Sequence, residues 1–544
     1  MLPSPWSELH LLLEKASTEH LPCDQAERFP EQAFSRLQQA GFQKLFVPAA
    51  HGGGLQSFED LLQLIRRLSG ADLTLAIGYG KTFLGAVCTW VAGTPEQQDQ
   101  LASDILAGQV MSWGLTEQGH GSDLLSNTLR ASLQEEQYWL SGSKWLINNA
   151  TRGDQITVLA RTSETGGTRG FSLLLVDKST LTPQQCQSLP KVPTHGIRGA
   201  DISGLAFHHA PVPVARRLGR EGEGLETVLK ALQLTRTLCA GLSLGAVEHA
   251  IRLVQHFAGE RQLYGKTMLE LPMVEHHLGQ NLALLGALQA VSCYAARSVH
   301  TLPGELSLTS SLVKAWVPTV ADEVIQSCAE LMGVRGFLVG AFEKLERDHL
   351  LVGIFDGSTT VNRQNVIHQM PMLVRGLKRP AVPAQVWENT VKLQGDLPPL
   401  PWRNLSLLTS GCTVLQRLPD LVARVEALHH VGQVGPDLFS LALELSNLWG
   451  TLWADLQQEP LAPSPAPASA FQRVMQLEEC HAAAICLALW LHNPSIREHE
   501  DWLHAALGLI LQRAGQLPMP EPRVFQNLAR HQTFWWEDRE VHHA

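Results

Sequence analysis

The spacing of apolar residues changes period twice along the chain, and this limits the available folds more than any other feature. From Ser7 to about Gly108 the apolar positions recur at helical spacing, as at Leu61, Leu62, Leu64, Ile65 and Leu68, with breaks at Pro48, Gly52-Gly53-Gly54 and Gly93-Thr94-Pro95. Between Met111 and about Leu218 the pattern becomes short apolar runs, such as 155–160 and 171–176, separated by Gly, Asp and Thr-Gly-Gly turns. Such runs predict strands with no helices between them. From Gly222 to about Gly376 long helical periods return at 240–257, 274–299 and 307–332. A proline cluster from Pro380 to Pro401 reads as a linker, and a further helix-rich region follows with its own hinge at 460–467. The expected organisation is a helical domain over 1–110, a β domain over 111–218, a helical bundle over 219–378 and a separate helical region over 379–544. At 544 residues, 44% of them hydrophobic, the chain can bury that many cores.

A net charge of −10 without a run of Lys and Arg gives no footprint for nucleic acid and no polybasic membrane patch. Nine cysteines lie scattered without paired spacing, as expected of reduced thiols, and no metal site is expected. The amino terminus has neither the layout of a secretory signal nor the Arg-rich character of a transit peptide, so a cytoplasmic location is expected. The longest unbroken apolar stretch, 482–491, is about half of the ~20 residues that a membrane span requires. It reads as a buried helix segment, and membrane association is unsupported.

Five segments carry chemistry. The first, Leu115-Thr116-Glu117-Gln118-Gly119-His120-Gly121-Ser122-Asp123, is a β-type run ending in a glycine-rich turn. Its backbone N–H groups and hydroxyls could hold a flavin edge and a pyrophosphate, although a plain hairpin turn reads the same way. The others are Lys144-Trp145-Leu146-Ile147-Asn148-Asn149 ending a strand, Glu260-Arg261-Gln262-Leu263-Tyr264-Gly265 closing a long helix, Met332-Gly333-Val334-Arg335-Gly336-Phe337, and Arg347-Asp348 eight residues ahead of Asp356-Gly357-Ser358-Thr359.

In this order the five resemble the acyl-CoA dehydrogenase family, whose patterns run roughly TEPxxGSD, GxKxWITN, ERxxFG, LGGxGF and RDxxxxxIYEGT. The resemblance covers about residues 25–375. It implies an α+β, mainly α, fold: an N-terminal helical domain, a central β domain and a four-helix bundle, here followed by extra helices. It also implies FAD as cofactor, held by a set comprising Leu115, Thr116, Gly121, Ser122, Leu146, Asn148, Arg261, Tyr264, Glu330, Gly333, Gly336, Ser358 and Thr360. Within that set Thr116 would face the flavin ring, Ser122 would lie near the phosphates or the acyl chain, and Asn148 would sit beside flavin N5. Arg261 would reach the FAD pyrophosphate across a dimer interface, and Gly333 and Gly336 would admit the adenine end.

By the same resemblance the function is α,β-dehydrogenation of an acyl thioester on CoA or a carrier protein, in fatty acid metabolism. Asp356 would abstract the α proton while hydride passes to flavin N5. Electron-transfer flavoprotein or another acceptor, and a homodimer or homotetramer, are the implied partners. The family's carboxylate is a Glu, so Asp356 sets its oxygens back by ~1.5 Å. An Asp-Gly pair is also a common turn. On the earlier helix, where some members carry the base, Thr235 stands instead. Other departures are Trp145 one place early with Leu146 in its slot, Asn148 for a Thr, Glu330 for a Gln, and Pro272 for a Gln. A repurposed flavoprotein or binding member of the family, or an oxygen-using oxidase, is the alternative reading.

Two further patterns read as helix. Gly241-Leu242-Ser243-Leu244-Gly245 matches a nucleophile elbow, but it continues a helical period where the elbow requires a strand and a sharp turn. Glu478-Glu479-Cys480-His481 and Glu275-His276-His277 put ligand-type residues on different helix faces. Residues beyond 380 hold eight of the fourteen tryptophans, including Trp449, Trp453, Trp490, Trp535 and Trp536, which fits a packed helical core, an interface or a membrane-surface face.

Overall fold

A computed structural model describes residues 5–165, 167–395, 397–458, 465–515 and 521–531. Trp535 and Trp536 lie outside the described residues. The chain divides into two compact units, Glu8–Thr235 and Arg236 onward together with the first seven residues.

The first unit opens with helices α1 (Pro5–Gln25), α2 (Glu31–Gln39), α3 (Phe58–Ala71), α4 (Leu73–Ala92) and α5 (Pro95–Leu106). Local chemistry sets their limits. Ser57 and Asp72 accept the Glu59 and Thr74 backbone N–H groups as N-caps, and Thr94 with Gln97 forms a reciprocal capping box ahead of Pro95. Strands β1 (Met111–Gly114), β2 (Arg130–Gln134), β3 (Gln137–Asn148), β4 (Gln155–Arg161), β5 (Phe171–Asp177), β6 (Cys186–Leu189), β7 (Ile202–Pro213) and β8 (Arg217–Leu218) follow. They form one sheet ordered β6-β7-β3-β2-β4-β5-β8, with β1 parallel to β4.

Tyr138, Leu140, Ile147, Ile156, Val158, Leu174, Leu205 and Phe207 are buried in the sheet's core. Helix α4 comes close to the sheet because small residues allow it. A Cβ on Gly85 would stand 2.7 Å from Met111 Cβ, and Thr157 Oγ1 donates to the Gly85 carbonyl at 2.7 Å.

Helix α6 (Gly224–Glu260) carries the chain from the first unit into the second. A two-stranded hairpin, β9 (Gln262–Leu263) and β10 (Lys266–Thr267), turns through Tyr264 and Gly265, both at positive φ, as a two-residue hairpin turn demands. Next come α7 (Pro272–Thr301), α8 (Leu306–Met332), α9 (Val334–Phe337), α10 (Ala341–His349) and α11 (Thr359–Leu377). Of these, α8 packs against both α7 and α11.

The additional helices are α12 (Ala384–Val391), α13 (Thr413–Gln416), α14 (Leu418–His430), α15 (Pro436–Gln458), α16 (Ala468–His492), α17 (Pro494–Arg497), α18 (Glu500–Arg513) and α19 (Pro522–His531). They belong to the same compact unit as α7, α8 and α11. Helix α16 lies on all three, and α12, α18 and α19 lie on α7. Trp316 Nε1 donates to Glu479 Oε2 at 2.9 Å, Arg513 Nε donates to Glu479 Oε1 at 3.0 Å, and Arg363 grips both Glu478 oxygens at 2.9 Å. Among the described residues four helices, α4, α6, α7 and α16, are long and apolar enough to cross a membrane, but 78–94% of each apolar window is buried inside the protein. Their apolar character is used by the core.

Candidate active site

In the first unit the predicted residues Leu115, Thr116, Gly121, Ser122, Leu146 and Asn148 gather around the end of β1 and the end of β3. The Thr116 carbonyl accepts from Trp145 N at 3.0 Å, which ties the run after β1 to β3. A buried ion pair secures the turn. Lys144 Nζ lies 2.8 Å from Glu117 Oε1 and 3.1 Å from the Leu115 carbonyl, and Glu117 also accepts from the Thr128 and Leu129 backbone N–H groups and the Thr128 hydroxyl. Burial works against both charges. For Glu117 the Lys144 charge and these hydrogen bonds outweigh it and hold the carboxyl below its ordinary range, whereas Lys144 is lowered to about 8. Sequence reasoning assigned neither residue a role. The available signal was a lysine inside an otherwise buried strand end, which needs a carboxylate partner.

β3 carries a bulge at Leu146. Its pairing with β7 slips between Trp145 and Ile147, and Leu146 takes φ +54, which leaves its side chain 39% exposed. Asn148 is buried and its Nδ2 donates to the Ile77 carbonyl at 3.2 Å, while its Oδ1 has no hydrogen-bond partner. Gly121 and Ser122 are exposed, and a Cβ on Gly119 or Gly121 would meet nothing within 4 Å.

In the second unit the remaining residues fall in three places. Arg261 and Tyr264 are exposed where α6 meets the hairpin, Tyr264 at 93%. Glu330 and Gly333 are exposed at the end of α8, where Gly333 at φ +56 ends the helix, and Gly336 is buried against Met332 and Phe342. Asp356, Ser358 and Thr360 occupy the segment entering α11, and Ser358 caps that helix by accepting from Val361 N at 3.3 Å.

Asp356 is half-buried at φ +54 and is followed by Gly357 at +88, so the Asp-Gly turn expected of this pair is present. For Asp the left-handed conformation costs ~1–2 kcal/mol and must be held from outside. Arg236 Nε donates to the Asp356 carbonyl at 3.0 Å, and Lys314 Nζ donates to the Val352 carbonyl at 2.6 Å and the Gly357 carbonyl at 3.4 Å. The Asp356 carboxylate receives the Cys239 thiol, Sγ to Oδ2 3.8 Å. Arg236 and Lys314 are both buried. Burial pulls their proton affinity down, and the Asp356 charge pushes it back up. The turn that bears the carboxylate is thus held through its backbone by two buried cations, Arg236 on α6 and Lys314 on α8, neither of which sequence reasoning had singled out. Thr235, the alternative position, is buried with its hydroxyl bonded back to the Leu232 carbonyl at 3.4 Å.

Comparison with known proteins fits this architecture. Models of the acyl-CoA dehydrogenase N-terminal, middle and C-terminal domains match residues 11–109, 112–210 and 222–370. A probable acyl-CoA dehydrogenase, FadE25 of Mycobacterium tuberculosis, is 26% identical over 361 residues, 66% of this chain and 92% of its own. Cyclohex-1-ene-1-carbonyl-CoA dehydrogenase of Geobacter metallireducens is 26% identical over 349 residues, 63% of this chain and 90% of its own. Among solved structures, the acyl-CoA dehydrogenase of Bacillus anthracis complexed with FAD superposes with a TM-score of 0.68 at 18% identity, covering 97% of this chain and 91% of that one. That likeness of fold takes in the helices beyond residue 380. The family is FAD-dependent, and the residues present fit that group: the turn after β1 carries the Thr116 and Ser122 hydroxyls and glycines where a Cβ would meet nothing within 4 Å, and the end of β3 adds an exposed Leu146 and a buried acceptor, Asn148 Oδ1, without a hydrogen-bond partner. The chain belongs to the acyl-CoA dehydrogenase family, oxidoreductases acting on CH–CH groups.

Proposed function

We propose that the protein dehydrogenates an acyl thioester, on CoA or a carrier protein, across its α and β carbons with Asp356 as the base. The observation that carries this reading is the seating of Asp356. A carboxylate at positive φ, held through its backbone by Arg236 and through the adjoining loop by Lys314, has the fixed direction that proton abstraction from a weakly acidic carbon requires. Thr116, Gly121, Ser122, Leu146 and Asn148 on the β domain would hold FAD, and the family resemblance assigns Arg261, Tyr264, Glu330, Gly333, Gly336, Ser358 and Thr360 on the helical bundle to the same cofactor class. When bound, FAD supplies the acceptor for the β hydrogen and its electron pair. Asp356 takes the α proton, and its own backbone N–H donates to the thioester oxygen, where negative charge develops. Electron-transfer flavoprotein then receives the electrons. A homodimer would bring Arg261 to the cofactor of the second copy.

A screen of flavin bleaching under anaerobic conditions, across acyl-CoA chain lengths and acyl-carrier-protein conjugates, tests the proposal. Bleaching by at least one class is expected. Colourless purified protein, or flavin that no thioester bleaches, would overturn it. Stoichiometric peroxide release in air would identify an oxidase instead.

A further inference from the structure

The adjacent acidic residues Glu478 and Glu479 are buried within α16 and have no part in the function above. Consecutive positions on a helix point about 100° apart, so the two reach different neighbours. Glu478 faces α11, where Arg363 donates from Nε to Oε1 and from Nη2 to Oε2, both at 2.9 Å. Glu479 faces α8, where Trp316 Nε1 donates to Oε2 at 2.9 Å, and its other oxygen accepts from Arg513 Nε of α18 at 3.0 Å. Arg513 also pairs with Glu323 of α8.

Two carboxylates buried side by side are not an economical way to attach a helix. Burial pushes both carboxyls up, Glu479 to about 7, against the pull of Arg363 on the one and of Arg513 and Trp316 on the other. A buried ion pair adds little stability over well-packed apolar residues of similar volume. What it supplies is direction, because a bidentate guanidinium–carboxylate pair has one geometry.

The direction bears on the turn that carries Asp356. Asn362, the residue before Arg363 on α11, is fully buried, and its Nδ2 donates to the Gly357 carbonyl at 2.7 Å and the Ser358 carbonyl at 3.1 Å. Lys314, on the same stretch of α8 as Trp316, reaches the same Gly357 carbonyl at 3.4 Å and the Val352 carbonyl at 2.6 Å. The Gly357 carbonyl therefore meets a donor from each of two helices, and each helix is gripped close to its donor by one of two neighbouring carboxylates of α16.

We propose that Glu478 and Glu479 are positioning residues for the Asp356 turn, acting through Arg363 on α11 and Trp316 on α8, so that the helices after residue 380 take part in the dehydrogenation. The inference rests on the reading of Asp356 as the base.

Two measurements on the full-length protein as purified test it. The first is backbone hydrogen exchange, read by mass spectrometry in the peptide spanning 352–362, where the N–H groups of Val352, Ile354, Phe355, Thr359 and Asn362 are hydrogen-bonded to nearby carbonyls. In Glu478→Gln this peptide exchanges about tenfold faster or more, while strands β3 and β7 keep the wild-type rate. Unchanged protection of the peptide overturns the proposal. The second is stopped-flow flavin reduction by butyryl-, octanoyl- and hexadecanoyl-CoA, which yields the limiting rate and the thioester affinity separately. A misplacement of ~1 Å costs on the order of 10²-fold, and a grip weakened by one bond shifts the turn by part of that, so the limiting rate falls about tenfold with affinity and flavin content retained. A fall in affinity and flavin content with the limiting rate unchanged overturns the proposal.

Trp316→Phe keeps the ring and loses only the bond to Glu479, so it gives a loss of about threefold in limiting rate even where Glu478→Gln fails to fold. Arg363→Met combined with Glu478→Met removes both charges and restores stability, and a wild-type limiting rate in that protein overturns the role of the pair. Asp356→Asn separates the two ideas. In that background Glu478→Gln adds no further loss, because no carboxylate remains to be misplaced, whereas an unrelated defect multiplies with it and overturns the proposal. Reduction at the wild-type rate in Asp356→Asn removes the base and this role with it. Reduction slowed in Asp356→Asn but not in Glu478→Gln removes the positioning role alone.

Discussion

In the proposed mechanism Asp356 would act from a conformation that its own backbone does not favour, so the residues that hold it would carry part of the function. Arg236→Lys loses the Nε donor to the Asp356 carbonyl, and a misplacement of ~1 Å costs on the order of 10²-fold in rate. We expect kcat to fall by about that factor with flavin content retained, as measured by single-turnover reduction beside the flavin-to-protein absorbance ratio.

The Lys144–Glu117 pair makes a second prediction at this scale. Removing one partner of a buried pair costs ~3–5 kcal/mol, so Lys144→Met lowers the stability of the β domain by about that much in chemical denaturation. The pair also sets a pH limit. The folded Glu117 pKa lies below its unfolded value, so its contribution is present above about 4.5 and is lost as pH falls through the folded value. Glu117→Gln abolishes that acid limb of the stability curve, and persistence of the limb in the variant would contradict the assignment.

Among the elements, the long helices and the buried strands were legible in the sequence because each has one strong period. The helix through Ser243 is an example: the apolar spacing on both sides of the Gly-x-Ser-x-Gly pattern overrode the motif, and α6 runs through it unbroken. What periodicity could not convey was pairing between distant segments. Arg236 and Lys314 read as ordinary cations on helices, and only the fold brings them to the Asp356 turn. The bulge at Leu146 was equally hidden, because the shift in register belongs to the β3–β7 pair rather than to either strand.

Attachment of the extra helices depends on small residues of α7. A Cβ on Gly286 would stand 2.0 Å from Trp502 Nε1, and that indole donates to the Ala283 carbonyl at 3.2 Å. Gly286→Ala therefore forces α18 off α7, at ~1–3 kcal/mol for overpacking. A lower Tm and faster proteolysis of the region after residue 380 are expected. Unchanged values would show that the contact does not hold the extension.

For the whole molecule, the motif order in the sequence was enough to indicate the family. Val334, Phe337, Leu338 and Val339 stand 50–84% exposed around α9, beside the proposed adenine-end residues Gly333 and Gly336. A contiguous apolar surface of this kind fits contact with a second copy. In the homodimer proposed above this surface would meet the second copy, and Phe337→Asp would then lower both the sedimentation coefficient in analytical ultracentrifugation and the FAD content relative to the wild type. A wild type that sediments as a monomer with full flavin would contradict that arrangement. The most direct measurement of all is anaerobic flavin reduction by a thioester that bleaches the wild type, repeated with Asp356→Asn. Reduction at least ~10²-fold slower in the variant, with flavin still bound, is expected of a base. Reduction at the wild-type rate would show that Asp356 takes no proton.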